Sequence, residues 1–127
     1  MVTDPIADFL VRVRNAGLIG KEAVSIPSSK MTTTLATLLE KEGYIAGVAK
    51  KKGSPLTVTL AYKNGRPVIS GSKRISKPSR RMYMGVREIK PVKRGYGLLV
   101  LSTPAGIMSG KDAREKRVGG EILFEIW

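Results

Sequence analysis

Nine of the 23 Lys and Arg residues in this 127-residue chain crowd into the span from Lys73 to Arg94, where only Glu88 opposes them. They are Lys73, Arg74, Lys77, Arg80, Arg81, Arg87, Lys90, Lys93 and Arg94. Nine cations against one carboxylate leave +8 of a formal net charge of +13 in this one span, and +5 for the rest of the chain. Self-repulsion of that size opposes any compact state unless counter-charge lies close by, so a polyanionic partner is implied. Nucleic acid is the first polyanion to consider and an anionic membrane surface the second. Converging cations serve phosphate contacts better than the same charge spread evenly. Tyr83 and Tyr96 interleave with them, and a ring beside a cation suits stacking on a base or ribose. Against this stands the plainer reading of a solvated basic face, with each tyrosine serving as core packing. Lys50-Lys51-Lys52 forms a smaller patch, divided evenly between phosphate contact and solvation.

Most enzymatic chemistry is excluded by what the chain lacks. It has no Cys and no His, so it has no disulfide framework, no thiolate and no Ser-His or Cys-His nucleophile pair. Clustered carboxylates with magnesium remain the one route to phosphodiester cleavage. Asp4 and Asp8 stand one helical turn apart, but both suit the start of a helix, one as a cap and the other on the positive end of its dipole. Asp112 and Glu115 suit a later helix start in the same way. A Gly-rich phosphate loop ending in Lys-Ser/Thr is missing. No catalytic residue, metal ligand set, cofactor or small-molecule substrate is therefore expected. No apolar run approaches the roughly 20 residues needed to span a bilayer, and no signal-like segment opens the chain, so a cytoplasmic protein is expected.

The hydrophobic pattern predicts an α+β fold in two small lobes, an N-terminal α-β-α-β-β lobe and a mostly β C-terminal lobe with one short helix. Asp4 as cap, Pro5 at the first helical position and the spacing of Ile6, Phe9, Leu10 and Val13 predict a first helix ending at Asn15–Gly17. Ala23–Ile26 reads as a strand. A helix capped by Ser28 or Ser29 follows, with a stripe of Met31, Leu35, Leu38 and Leu39 and a stop at Gly43. Tyr44–Ala49 and Leu56–Tyr62 read as strands joined by a basic turn, and Lys63–Pro67 as a turn between lobes, dividing the chain into residues 1–66 and 67–127. Beyond it, Val68–Ser72 reads as a strand and Tyr96–Leu101 as one buried on both faces. Ser109 starts a short helix with Asp112 at the capping-box position, and Glu121–Trp127 alternates as a last strand.

In the C-terminal half, the run Gly95-Tyr-Gly-Leu-Leu-Val-Leu-Ser-Thr-Pro-Ala-Gly-Ile-Met108, then Lys111-Asp-Ala-Arg114, then Val118-Gly-Gly-Glu121 resembles the family of the eighth ribosomal protein of the bacterial small subunit. Thr3-Asp-Pro-Ile-Ala-Asp-Phe-Leu10 with Arg12-Val-Arg-Asn15 looks like that family's first helix. Ile26-Pro-Ser-Ser-Lys30, Glu42-Gly-Tyr44 and Arg74-Ile-Ser-Lys-Pro78 match in order and spacing. Together these motifs cover essentially the whole chain.

The resemblance implies a non-enzymatic, cytoplasmic component of the ribosome. Such a protein binds a bulged helix in the central domain of the small-subunit (16S) ribosomal RNA and aids assembly of that domain beside neighbouring ribosomal proteins. It also implies an RNA-contacting surface on the C-terminal lobe. Ser102 and Thr103 match the family's loop, where small hydroxyls reach base edges or 2′-hydroxyls, and Gly106 lets backbone approach closely. Pro104 stands where the family usually has a second serine and Ala105 where a basic residue is common. Pro104 offers neither hydroxyl nor amide hydrogen, and its fixed φ stiffens the loop. Gly119, Gly120 and Glu121 match the C-terminal motif beside that surface, with a tight turn as the structural reading of the glycines. Lys30, Arg80, Arg81 and Tyr83 complete the candidate contacts. The competing functions are a general nucleic-acid binder, a magnesium-dependent ribonuclease and a basic peripheral membrane protein.

Overall fold

The computed structural model describes residues 4–90 and 97–127. The chain is mixed α+β and groups into two compact units, Pro5–Ser70 and Gly71–Trp127 with Asp4.

In the first unit, α1 (Pro5–Leu18) buries Ile6, Phe9, Leu10 and Val13, the stripe expected from its spacing, and Ala16 one turn beyond it. It runs past the stop expected at Asn15–Gly17. Gly17 lies inside the helix, where a Cβ would meet the Pro67 ring at 3.2 Å. The left-handed residue that ends the helix is Gly20, at φ +73. After β1 (Ala23–Ile26), the extended Ser29 caps α2 (Lys30–Lys41). Its hydroxyl accepts the Thr32 amide at 3.1 Å, and the Thr32 hydroxyl accepts the Ser29 amide at 3.0 Å, a reciprocal box with Thr in place of Glu. Thr32 is therefore turned inward beside Leu35, Ala36, Leu38 and Leu39, whereas Met31, expected in the stripe, is exposed.

Strands β2 (Ile45–Ala49) and β3 (Leu56–Leu60) complete an antiparallel sheet in the order β1-β3-β2. Its buried Ile26, Ile45, Leu56, Val58 and Leu60 supply the sheet side of the core. The strand expected to reach Tyr62 stops at Leu60. Tyr62 and Lys63 (β4) instead pair with Arg66 and Pro67 (β5), so the expected turn between lobes is a hairpin within this unit. Asn64 and Gly65, at φ +55 and +76, form its turn, the backbone signature that a two-residue hairpin requires.

The second unit is built on a sheet of five strands. Its order is β6 (Ser72–Arg74), β10 (Gly120–Ile126), β8 (Leu98–Thr103), β9 (Gly106–Ser109), and β7 (Tyr83–Met84) also pairs with β10. The strand expected at Val68–Ser72 starts only at Ser72, because the reciprocal Gly71–Trp127 backbone bonds, 2.9 and 3.0 Å, set where pairing begins. Leu98 to Leu101 are all buried, as the continuous apolar run implied. Leu99, Leu101, Met108 and Ile122 form a core with Ile89 and with Ala113 of α3 (Gly110–Glu115). The Ser109 hydroxyl caps α3 by accepting the Asp112 amide at 3.2 Å. A bulge in β10 between Ile122 and Phe124 leaves Leu123 unopposed, and its carbonyl accepts the Ile75 amide and the Arg74 guanidinium.

Candidate nucleic-acid interface

Residues directly opposite in an antiparallel ladder point to the same face. Tyr83 pairs with Glu121, Glu121 with Ser102, and Ser102 with Ile107, so four strands lay one row of side chains across the sheet. The neighbouring row, Ile122, Leu101 and Met108, points the opposite way into the core. The register thus puts this row and the neighbouring core row on opposite faces of the sheet, one residue step apart.

Beside the row lies a basic turn. Lys77 and Arg80 exchange both backbone hydrogen bonds at 2.9 Å, closing Lys77-Pro78-Ser79-Arg80 into a tight tip with exposed Lys77, Arg80 and Arg81. Both legs of its base bind the same residue on one edge of β10. Ser76 donates its amide to the Ile122 carbonyl at 3.0 Å, and Ile122 donates to the Met82 carbonyl at 2.9 Å. The Ser76 hydroxyl, fully buried, accepts the Met82 amide at 3.2 Å and donates to Glu121 Oε2. Arg81 Nη1 donates to that same oxygen at 2.9 Å. Burial pushes the Glu121 carboxyl up, but hydrogen bonds from Ser76 and Arg81 and the charges of Arg81 and Arg74 outweigh it, holding the group below its ordinary value. The hydrogen bond from Arg81 to Glu121 in turn raises the guanidinium.

The Ser-Thr loop is the tip of the β8–β9 hairpin. The buried Thr103 hydroxyl donates to the Gly106 carbonyl at 2.9 Å and accepts the Ala105 amide at 3.1 Å, so it closes the turn. Pro104 presets φ at the first turn position and Gly106 takes φ +116, which a side chain would oppose. Ser102 is half-buried, and its hydroxyl has no partner among the described residues. Gly119 and Gly120 allow backbones to meet. A Cβ on Gly119 would lie 2.4 Å from the Met84 carbonyl oxygen.

Nine of the ten expected contact residues fall in the Gly71–Trp127 unit. Lys30, exposed at the start of α2, belongs to the other unit, as do exposed Lys50, Lys51 and Lys52. Tyr83 stands 69% exposed, a ring open for stacking. Lys93, Arg94 and Tyr96 lie outside the described residues. Not every cation of the basic span is available, because Arg74 turns in to Asp4 at 3.2 and 3.3 Å, its side chain 13% exposed. Asp8 pairs with Arg12 at 2.9 Å. The two acids that stood closest to a metal pair in the sequence are thus engaged by arginines. Among the described residues no group of three or more His, Cys, Asp or Glu side chains is placed to hold a metal ion, and no helix is long and apolar enough to cross a membrane. The network residue missed from the sequence is Ser76. It sits in the Arg74-Ile-Ser-Lys-Pro78 motif, which was the only signal for it.

The family model of ribosomal protein S8 matches residues 4–127. The small ribosomal subunit protein uS8 of Nitratidesulfovibrio vulgaris is 54% identical over 127 residues, covering all of both chains. Those of Ruegeria pomeroyi and Roseiflexus castenholzii are each 47% identical over 130 residues, covering 99% of this chain and 100% and 98% of theirs. With the resemblance in its motifs supported along its length, the chain belongs to the ribosomal protein S8 family, whose members are structural and non-enzymatic.

Proposed function

We propose that this protein is a primary rRNA-binding component of the small ribosomal subunit in the cytoplasm. It grips a bulged helix in the central domain of 16S rRNA, helps organise that domain during assembly and sits against neighbouring ribosomal proteins. The observation that carries this reading is one sheet face with three kinds of contact at once. Exposed Tyr83 offers stacking, Ser102 a hydroxyl with no partner among the described residues, and the Lys77–Arg81 turn exposed cations. Phosphate contacts from Lys77, Arg80 and Arg81 supply affinity without sequence information, and the row of small side chains supplies selection. Gly106 adds close backbone approach at the hairpin tip, Gly119 and Gly120 keep β10 tight against its neighbours, and Lys30 contributes a further phosphate contact from the other unit. A uniformly paired A-form helix hides its base edges in a deep, narrow groove, whereas a bulge splays bases that a ring and a hydroxyl can reach.

The test is binding, at near-physiological salt, to the bulged central-domain rRNA helix beside a fully paired duplex of equal length. Strong preference for the bulged helix is expected. Equal, salt-sensitive binding to both would reduce the protein to a general nucleic-acid binder.

A further inference from the structure

A carboxylate in the middle of an RNA-facing row needs a reason, because it repels the phosphates that the surrounding cations attract. Glu121 occupies that place, between Tyr83 and Ser102, with only 14% of its side chain exposed. Its Oε2 accepts from two donors that belong to the opposite ends of one excursion, Ser76 at the start and Arg81 near the return. The Ser76 hydroxyl also accepts the Met82 amide, next to Tyr83. Four residues thus tie the basic turn, the tyrosine strand and β10 together through one oxygen pair. Resting on the RNA-binding reading above, we infer that Glu121 is a positioning residue. Through Ser76 and Arg81 it holds the Lys77–Arg81 turn and the Tyr83 strand in register with Ser102, so that cations, ring and hydroxyl meet a bulged RNA as one preformed surface.

Ser76 makes this separable from direct contact, because its fully buried hydroxyl is closed to RNA. Glu121→Ala removes the carboxylate, and Ser76→Ala removes one of its anchors with little change of volume. If Glu121 positions, both variants lose about tenfold in affinity for the bulged helix, the size of a hydrogen bond to a charged group. The paired duplex, which needs no register among ring, hydroxyl and cations, loses less than the bulged helix, and the double variant loses no more than the worse single one. In the RNA-free protein, Ser76→Ala also speeds hydrogen exchange at the Met82 amide and shifts the Tyr83 ring resonances. If Ser76→Ala binds like the parent while Glu121→Ala does not, Glu121 acts by contact and the inference fails. It also fails if neither variant loses affinity, or if the free-protein signals of Met82 and Tyr83 do not move. Parent protein that binds both RNAs equally would sink the RNA-binding reading instead, and the free-protein signals would still decide the positioning.

Discussion

The carbonyl oxygen of Ser102 lies 2.1 Å from the point where a Cβ on Gly120 would stand. The next nearest atoms, the Ser102 carbonyl carbon at 2.9 Å and Thr103 Cα at 3.0 Å, are also backbone, so no side chain can swing away. Replacing a strand glycine by alanine ordinarily gains a fraction of a kcal/mol from the unfolded chain. Here the clash reverses the sign. Gly120→Ala forces β8 from β10 beside the hairpin tip and is expected to cost about 3 kcal/mol in urea unfolding. A loss under about 0.5 kcal/mol would mean that the two strands separate freely.

The two hydroxyls of the hairpin tip should behave differently. Ser102 has a hydroxyl unused within the described residues, whereas that of Thr103 is committed to Gly106 and Ala105. Ser102→Ala is expected to leave the melting temperature unchanged and to weaken bulged-helix binding by on the order of 1 kcal/mol. Thr103→Ala should lower both stability and binding, and Thr103→Ser, which keeps the hydroxyl, should restore most of each. Equal effects from Ser102→Ala and Thr103→Ala on stability would contradict this division of labour.

How far the sequence reveals these features depends on how local they are. The helix cap at Ser109, the α1 stripe and the buried run Leu98–Leu101 rest on neighbours within a few residues, and pattern alone finds them, while for α2 it narrows the cap to Ser28 or Ser29. Strand β9 (Gly106–Ser109) escaped notice because Gly106 reads as a loop residue and Ser109 as a helix cap, leaving only Ile107 and Met108 to carry a pattern. Gly17 misled because its missing side chain serves packing against Pro67 rather than a helix stop. The candidate site was legible as a set of residue types and motifs. Its geometry was not, since Ser76 and Glu121 meet only through the order of strands in a sheet, 45 residues apart in sequence. Nothing in either local pattern announces the other.

The Glu121 carboxyl links that network to pH. Its value in the folded protein lies below its ordinary one, so the unfolded state takes up the proton first as pH falls. The stabilisation is therefore fully present above the ordinary glutamate range and is lost as pH drops through the lower, folded value. Melting temperatures of parent and Glu121→Gln should differ at neutral pH and converge once the pH has fallen below the lowered, folded-state value of the carboxyl. A gap that stays constant down to acid would show that the carboxylate charge contributes nothing.

Salt dependence separates the cations of the basic turn from the residues that select. Lys77 and Arg80 sit at the paired ends of the turn with their side chains exposed. Each phosphate contact releases condensed counterion, so removing one lowers the slope of log affinity against log salt by about 1. Arg80→Ala is expected to weaken binding to bulged helix and paired duplex alike and to flatten both salt plots by that amount. Lys77→Ala should do the same, and the double variant should flatten them by about 2. Arg74→Ala is the contrasting case, because its guanidinium is held by Asp4 and Leu123 rather than offered outward. It should destabilise the fold while leaving the slope unchanged. A slope that falls with Arg74→Ala and not with Arg80→Ala would place the RNA backbone on a different part of the surface.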